Sequence, residues 1–182
     1  AFSIIDLNDS KTLLRVENPK AVVGKFSPNG RIFTVEVGEA MEVRRTEDGA
    51  LVATLPKTRE HMFHWLDDRT AVFMEEEASV ARLLDFSSLK EVELQGVSEV
   101  NGVLPVPGKA DRFVVGQVNR ASLFQIDRSS ALPQVLPLLI NKHPAFSSWS
   151  RNASSRTADG LHYVSHTSKL EILSVDSLRL ES

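Results

Sequence analysis

The chain has 182 residues, 42% hydrophobic and 25% charged, with a formal net charge of −3 and no cysteine. That length supports one domain with a sizeable core, the lack of thiols excludes disulfides and cysteine-based zinc sites, and the slight negative charge offers no basic face to a nucleic-acid backbone. The longest apolar run, Leu136 to Ile140, is far short of the ~20 residues a helix needs to cross a bilayer, so membrane insertion is not expected.

Residues 1–16 read as two strands, Phe2–Asp6 and Thr12–Val16, joined by a polar turn whose short side chains bond their own backbone. A strand from Ala21 to Phe26 then meets Ser27-Pro28-Asn29-Gly30. Proline presets φ there and Asn-Gly supplies the positive φ of a reversal. Arg31–Val37 alternates, with Phe33, Val35 and Val37 on one side and Thr34 and Glu36 on the other, which is the period of a strand. Met41–Arg45 and Leu51–Leu55 complete this unit.

The same order repeats three times. His61–Trp65, Thr70–Met74, Ser79–Asp85 and Lys90–Leu94 form one unit; Val103–Val106, Arg112–Val118, Ala121–Asp127 and Gln134–Leu138 form the next. The last holds Ala145–Ser150, a polar loop over Arg151–Asp159, then Leu161–His166, Lys169–Val175 and Leu178–Leu180. The stretch LPQVLPLLI could mimic a helix, but Pro133 and Pro137 would interrupt it. Glu75 to Glu99 holds seven acidic residues against two basic ones, which reads as a solvated rim.

The third strands of successive units end at Asp6, Arg45, Asp85, Asp127 and Asp176, at intervals of 39, 40, 42 and 49 residues. Several short strands per period of about forty residues are the mark of a β-propeller. The expected fold is therefore all-β, a propeller of four-stranded antiparallel blades. The units are 1–16 (partial), 21–55, 61–94, 103–138 and 145–182, in a single domain or a propeller fragment. Four blades and two extra strands make an awkward ring, so the chain is expected to belong to a larger one, the rival account being a closed small propeller in which the first strands complete the last blade. It begins at Ala1, which fits a processed start or a piece of a longer chain, and its compartment is left open between the cytoplasm and a processed secreted or periplasmic site.

The unit from Phe26-Ser-Pro-Asn-Gly30 through Met41-Glu-Val-Arg-Arg-Thr-Glu-Asp-Gly49 to Leu55 resembles a WD-repeat blade. In that family an FSPDG-type turn joins the first two strands and a hydrophobic-Asp end closes the third. Asp6-Leu-Asn-Asp-Ser-Lys11 is similar to the same closing turn, and His64-Trp-Leu-Asp-Asp-Arg-Thr70 stands at the place of the first. The Trp-Asp pair itself is missing and no Gly-His opens a unit. The resemblance therefore implies a divergent WD-like propeller and, with it, a protein-binding role.

Catalytic and metal signatures are weak. His61 and His64, three apart on a strand, point to opposite faces; His162 and His166 share a face but are separated by ~13 Å of backbone, too far to hold one zinc ion. Ser165, His166 and Asp159 could be written as a triad, but no nucleophile elbow or glycine-rich oxyanion turn accompanies them. Asp67-Asp68 beside Arg69 reads as turn chemistry, and no phosphate-binding loop is present. No metal and no cofactor are expected. The sequons at Asn8 and Asn152 read as coincidence.

A binding face would use exposed aromatic and basic groups. The candidates are Trp65, Arg69, Arg112, Arg120, Trp149 and Arg151, placed in turns at one end of the propeller. The function expected is a non-enzymatic scaffold that docks a partner protein, or a second chain completing the ring. The alternative is an enzyme or cofactor-binding propeller, of hydrolase or quinoprotein type, whose catalytic residues lie outside this segment. Polar residues converging on an axial pocket would favour the alternative; a plain channel with an apolar outer patch would favour the scaffold.

Overall fold

The computed structural model describes residues 2–6, 8, 10–17, 21–56, 58, 63–75, 80–98, 100, 102–117, 120–130, 133–142, 154–156, 162–166, 170–175 and 177–179. Among these, all regular structure is strand, and no helix is long and apolar enough to cross a membrane. Strands β1 (Phe2–Ile5) and β2 (Thr12–Val16) form a hairpin. β3 (Val22–Phe26), β4 (Ile32–Val37), β5 (Ala40–Arg45) and β6 (Leu51–Leu55) form a four-stranded sheet in sequence order. β7 (Phe63–Trp65), β8 (Thr70–Met74), β9 (Ala81–Asp85) and β10 (Lys90–Glu93) form a second, and β11 (Gly102–Pro105), β12 (Arg112–Gln117), β13 (Arg120–Asp127) and β14 (Gln134–Asn141) a third. β15 (Ser154–Arg156), β16 (His162–His166) and β17 (Leu170–Ser174) form a three-stranded sheet. Every neighbouring pair is antiparallel.

The alternation of side chains explains how the sheets stack. On β8, Ala71 and Phe73 enter the cluster shared with Met41 and Val43 of the preceding sheet, while Val72 enters the cluster shared with Phe113 and Phe124 of the following one. On β9, Leu84 goes to the first cluster and Ala81 and Leu83 to the second. The pattern repeats one sheet on. Phe113, Val115, Phe124 and Ile126 face back, whereas Val114, Ala121 and Leu123 face forward onto Val175 and Leu178. The second strands β8 and β12 thus read as nearly continuous apolar runs because both of their faces are covered. Sheets that pack face to face in chain order are the blades of a β-propeller.

The third-strand aspartates do local work. Asp6, Asp85 and Asp127 each accept the backbone N–H two residues on, from Asn8, Ser87 and Ser129. Where Arg45 breaks the pattern, Asp48 takes over and accepts the N–H of Ala50. Gly30, at φ 70°, closes the first turn of its blade, donating its N–H to the Ser27 carbonyl.

Three expectations are revised. The polar segment 151–159 contains β15, because Ser154–Arg156 pairs with Tyr163–Ser165 of β16. β14 runs on to Asn141, past Pro137, because it is an outer strand whose outward side needs no ladder bond. The fourth strand placed at Leu178–Leu180 is not strand over its described part: Leu178, at φ 53°, donates its N–H to the Ser174 carbonyl, and the Ser174 N–H donates to the Arg179 carbonyl. The strand expected at Ala145–Ser150 lies outside the described residues, as do His61, Asp159 and Asp176.

Candidate functional site

Two surfaces stand out, one at each radial edge of the sheets. The first, fourth strands β6, β10 and β14, are the most exposed. β14 differs from the other two in composition. Leu136, Leu138, Leu139 and Ile140 are 46%, 45%, 41% and 53% exposed. A bulge interrupts its pairing with β13: Phe124 pairs with Pro137 and Leu123 with Leu139, leaving Leu138 as an extra residue. The bulge puts Leu136 and Leu139 on the same face of the strand, the one that carries Ala121 and Leu123. The side chain of Asn141 ties the end of the strand to the Leu178 carbonyl in the next sheet.

At the opposite edge, the first strands β3, β7 and β11 of three successive blades line one cavity of about 530 Å³. Its walls are Lys25, Phe26, His64, Trp65, Val103 and Pro105. Since the first strands converge on a common space while the fourth strands face solvent, this is the axial side. The strands are stitched together there. Lys25 Nζ donates to the Phe63 carbonyl at 2.7 Å, and Trp65 Nε1 donates to the Lys25 carbonyl at 3.3 Å. The Thr34 hydroxyl accepts the Lys25 N–H at 2.9 Å, and Gly24 leaves it room: a Cβ at Gly24 would fall 2.3 Å from Thr34 Oγ1. The Trp65 ring packs edge-on to Phe63 and tilted against Phe86, at 5.2 and 4.8 Å between centroids. Burial, and then the Lys25 ammonium, push the His64 pKa down from 6.5 to about 3, so its imidazole is neutral at physiological pH.

The expected binding residues divide between several places. Trp65 lies in the axial cavity. Arg69 sits in the β7–β8 turn, donating from Nη2 to Ser87 Oγ at 2.8 Å, and lines a smaller cleft of about 210 Å³ with Asp85, Ser88 and Arg128. Arg128 ties two blades together through Asp67 Oδ2 at 2.9 Å. Burial raises the Asp85 pKa, but hydrogen bonds from Ser87 and Ser88 and the charge of Arg69 outweigh it and hold the carboxyl below its usual range. Arg112 begins β12, whereas Arg120 follows its far end, bonded to Gln117 Oε1 and the Gly96 carbonyl; these two are at opposite ends of the blade. Trp149 and Arg151 lie outside the described residues. The described residues hold no group of three or more His, Asp or Glu able to bind a metal.

Reading the sequence missed Lys25, Phe26 and His64, although a signal was available. Lys25, Trp65 and Pro105 recur at forty-residue intervals, so they occupy equivalent places in consecutive repeats. The exposed run on β14 was visible only as an apolar stretch.

No family model and no curated protein matches the chain. Solved structures do. A dihydro-heme d1 dehydrogenase, NirN, in complex with DHE is 18% identical with a TM-score of 0.65, over 99% of this chain and 40% of that one. The β-propeller domain of Cps50 (Swd1) from Myceliophteria thermophila is 15% identical with a TM-score of 0.54, over 92% of this chain and 55% of that one. The hydrazine synthase of Kuenenia stuttgartiensis is 10% identical with a TM-score of 0.58, over 93% and 50%. The chain thus spans about half the length, or less, of these three structures. Likeness at such identities shows the β-propeller fold, on which both enzymes and other proteins are built.

Proposed function

We propose that this protein is a non-enzymatic interaction scaffold, a divergent WD-like propeller that docks a partner protein through its outer strand β14. The observation that carries the reading is the exposed run Leu136, Leu138, Leu139 and Ile140, an apolar group on a part of the blade that ordinarily meets water. Pro137 has no N–H to offer and the extra residue at Leu138 breaks the edge, so the partner packs against side chains and does not extend the sheet. A photo-crosslinking amino acid at Leu138 tests the reading in cells. The expected result is a discrete crosslinked adduct that is lost in the double variant Leu136→Ser, Leu139→Ser and absent when the crosslinker stands at Ser129. An adduct pattern identical at Leu138 and Ser129 would refute it.

A further inference from the structure

The turn between β3 and β4 carries a modification site, which stands apart from docking on β14. We infer that Asn29 deamidates, and that the closed turn sets the pace. The chain has two Asn-Gly pairs, Asn29-Gly30 and Asn101-Gly102, and Asn101 lies outside the described residues. Such a pair is chemically labile because a glycine nitrogen, with no side chain beside it, can approach the preceding amide carbon. At Asn29 the surroundings leave room for this. Asn29 is exposed, and no atom lies within 4 Å of the place a Cβ on Gly30 would take.

The step needs only water. Gly30 N attacks Asn29 Cγ; an N–Cγ bond forms, the Cγ–Nδ2 bond breaks, and the Gly30 proton leaves with the ammonia. Water then opens the cyclic imide at one carbonyl or the other, giving aspartate or isoaspartate. The folded turn opposes the attack. Gly30 donates its N–H to the Ser27 carbonyl at 2.8 Å, so the attacking nitrogen is engaged. The Asn29 amide oxygen accepts the Ser27 hydroxyl at 2.9 Å and the Arg31 N–H at 3.0 Å, which holds the side chain in place. Ser27 is buried, and its Oγ in turn accepts the Ile32 N–H at 3.1 Å. Attack therefore waits for local opening of the turn, a smaller event than global unfolding. The two products differ in what they preserve. Aspartate keeps an oxygen for Ser27 and Arg31. Isoaspartate lengthens the main chain by a methylene and makes that group a backbone carbonyl, so the clamp is lost. With it goes the support of the Asn29 N–H, which donates to Asp68 Oδ1 at 2.7 Å and ties this blade to the next.

Incubation at pH 8, followed by peptide mapping with mass spectrometry that reads Asn29 and Asn101 separately, tests the inference. In the urea-unfolded chain Asn29 is expected to convert at least tenfold faster than in the folded protein. Ser27→Ala removes one clamp on the amide and is expected to speed conversion of the folded protein several-fold, while the two unfolded chains convert equally. Gly30→Ala is expected to slow conversion at Asn29 in the unfolded chain, where folding plays no part, and to leave Asn101 unchanged. Equal rates in the folded and unfolded unaltered protein, or no conversion at Asn29 in the unfolded chain, would overturn the inference. So would a cooperatively melting Ser27→Ala variant that converts no faster than the unaltered protein. Protein enriched in isoaspartate at position 29 is expected to melt below Asn29→Asp; equal melting would refute the link to Asp68. None of these measurements involves β14, so failure here and failure of the docking proposal are distinguishable.

Discussion

Asp85 and Asp127 look alike in sequence but differ in what they hold. Asp85 is buried and accepts bonds from the Ser87 N–H and hydroxyl and from the Ser88 hydroxyl; Asp127 is only half-buried and caps the Ser129 N–H. Losing hydrogen bonds to a buried carboxylate costs about 1–3 kcal/mol. Asp85→Ala is therefore expected to lower the free energy of unfolding by that amount in urea denaturation, and Asp127→Ala to lower it by clearly less. His64 gives a second residue-scale expectation. In the unfolded chain it takes up a proton near pH 6.5, whereas in the fold it does so only near pH 3. The folded state binds fewer protons in this window, so its contribution is fully present above pH 6.5 and is lost as the pH falls towards 3. The loss is up to about 1.4 kcal/mol per pH unit. Denaturation of the unaltered protein and of His64→Leu between pH 7 and pH 4 should give diverging curves, the variant being the flatter. Parallel curves would contradict the assignment.

At the scale of the element, the strands were largely legible in the sequence because a two-residue period with glycine, proline and aspartate between runs is a local signal. Phe33 and Val35 alternate with Thr34 as expected, and both are completely buried. Phe33→Asp is expected to abolish the cooperative melt of the blade, since an unpaired charge would be forced into a space without water; a native-like transition followed by circular dichroism would contradict its burial. β14 shows the limit of local reading. Its prolines correctly argued against helix, but nothing in LPLLI says whether apolar side chains are covered, because covering is done by residues distant in the chain. Leu136→Ser with Leu139→Ser should change the melting temperature little, as surface substitutions commonly stay within about 0.5 kcal/mol. The axial cavity was missed for a related reason. Lys25 and His64 are unremarkable one at a time and gain meaning only when three repeats are superposed.

At the scale of the whole molecule, the blades share their cores. The cluster holding Val72, Leu83 and Val97 also holds Phe113 and Phe124, whose rings stack at 5.4 Å, so no blade owns its apolar layer. Phe113→Ala is expected to cost about 3–5 kcal/mol and to weaken the sheets on both sides of it together, in one transition by hydrogen exchange; loss of protection confined to β11–β14 would argue against shared cores. The period of about forty foretold this arrangement, whereas the strand β15 within a serine-rich segment escaped notice because it has no apolar alternation to announce it. The extra residue at Leu138 has a consequence of another kind. It spoils the even row of peptide groups along an otherwise sticky border, and Pro137 beside it removes one more donor. A sheet margin rich in leucine invites other copies to add on and grow into fibrils; here the misfit insulates the margin while leaving its greasy side chains exposed, so that deleting Leu138 is expected to promote self-association.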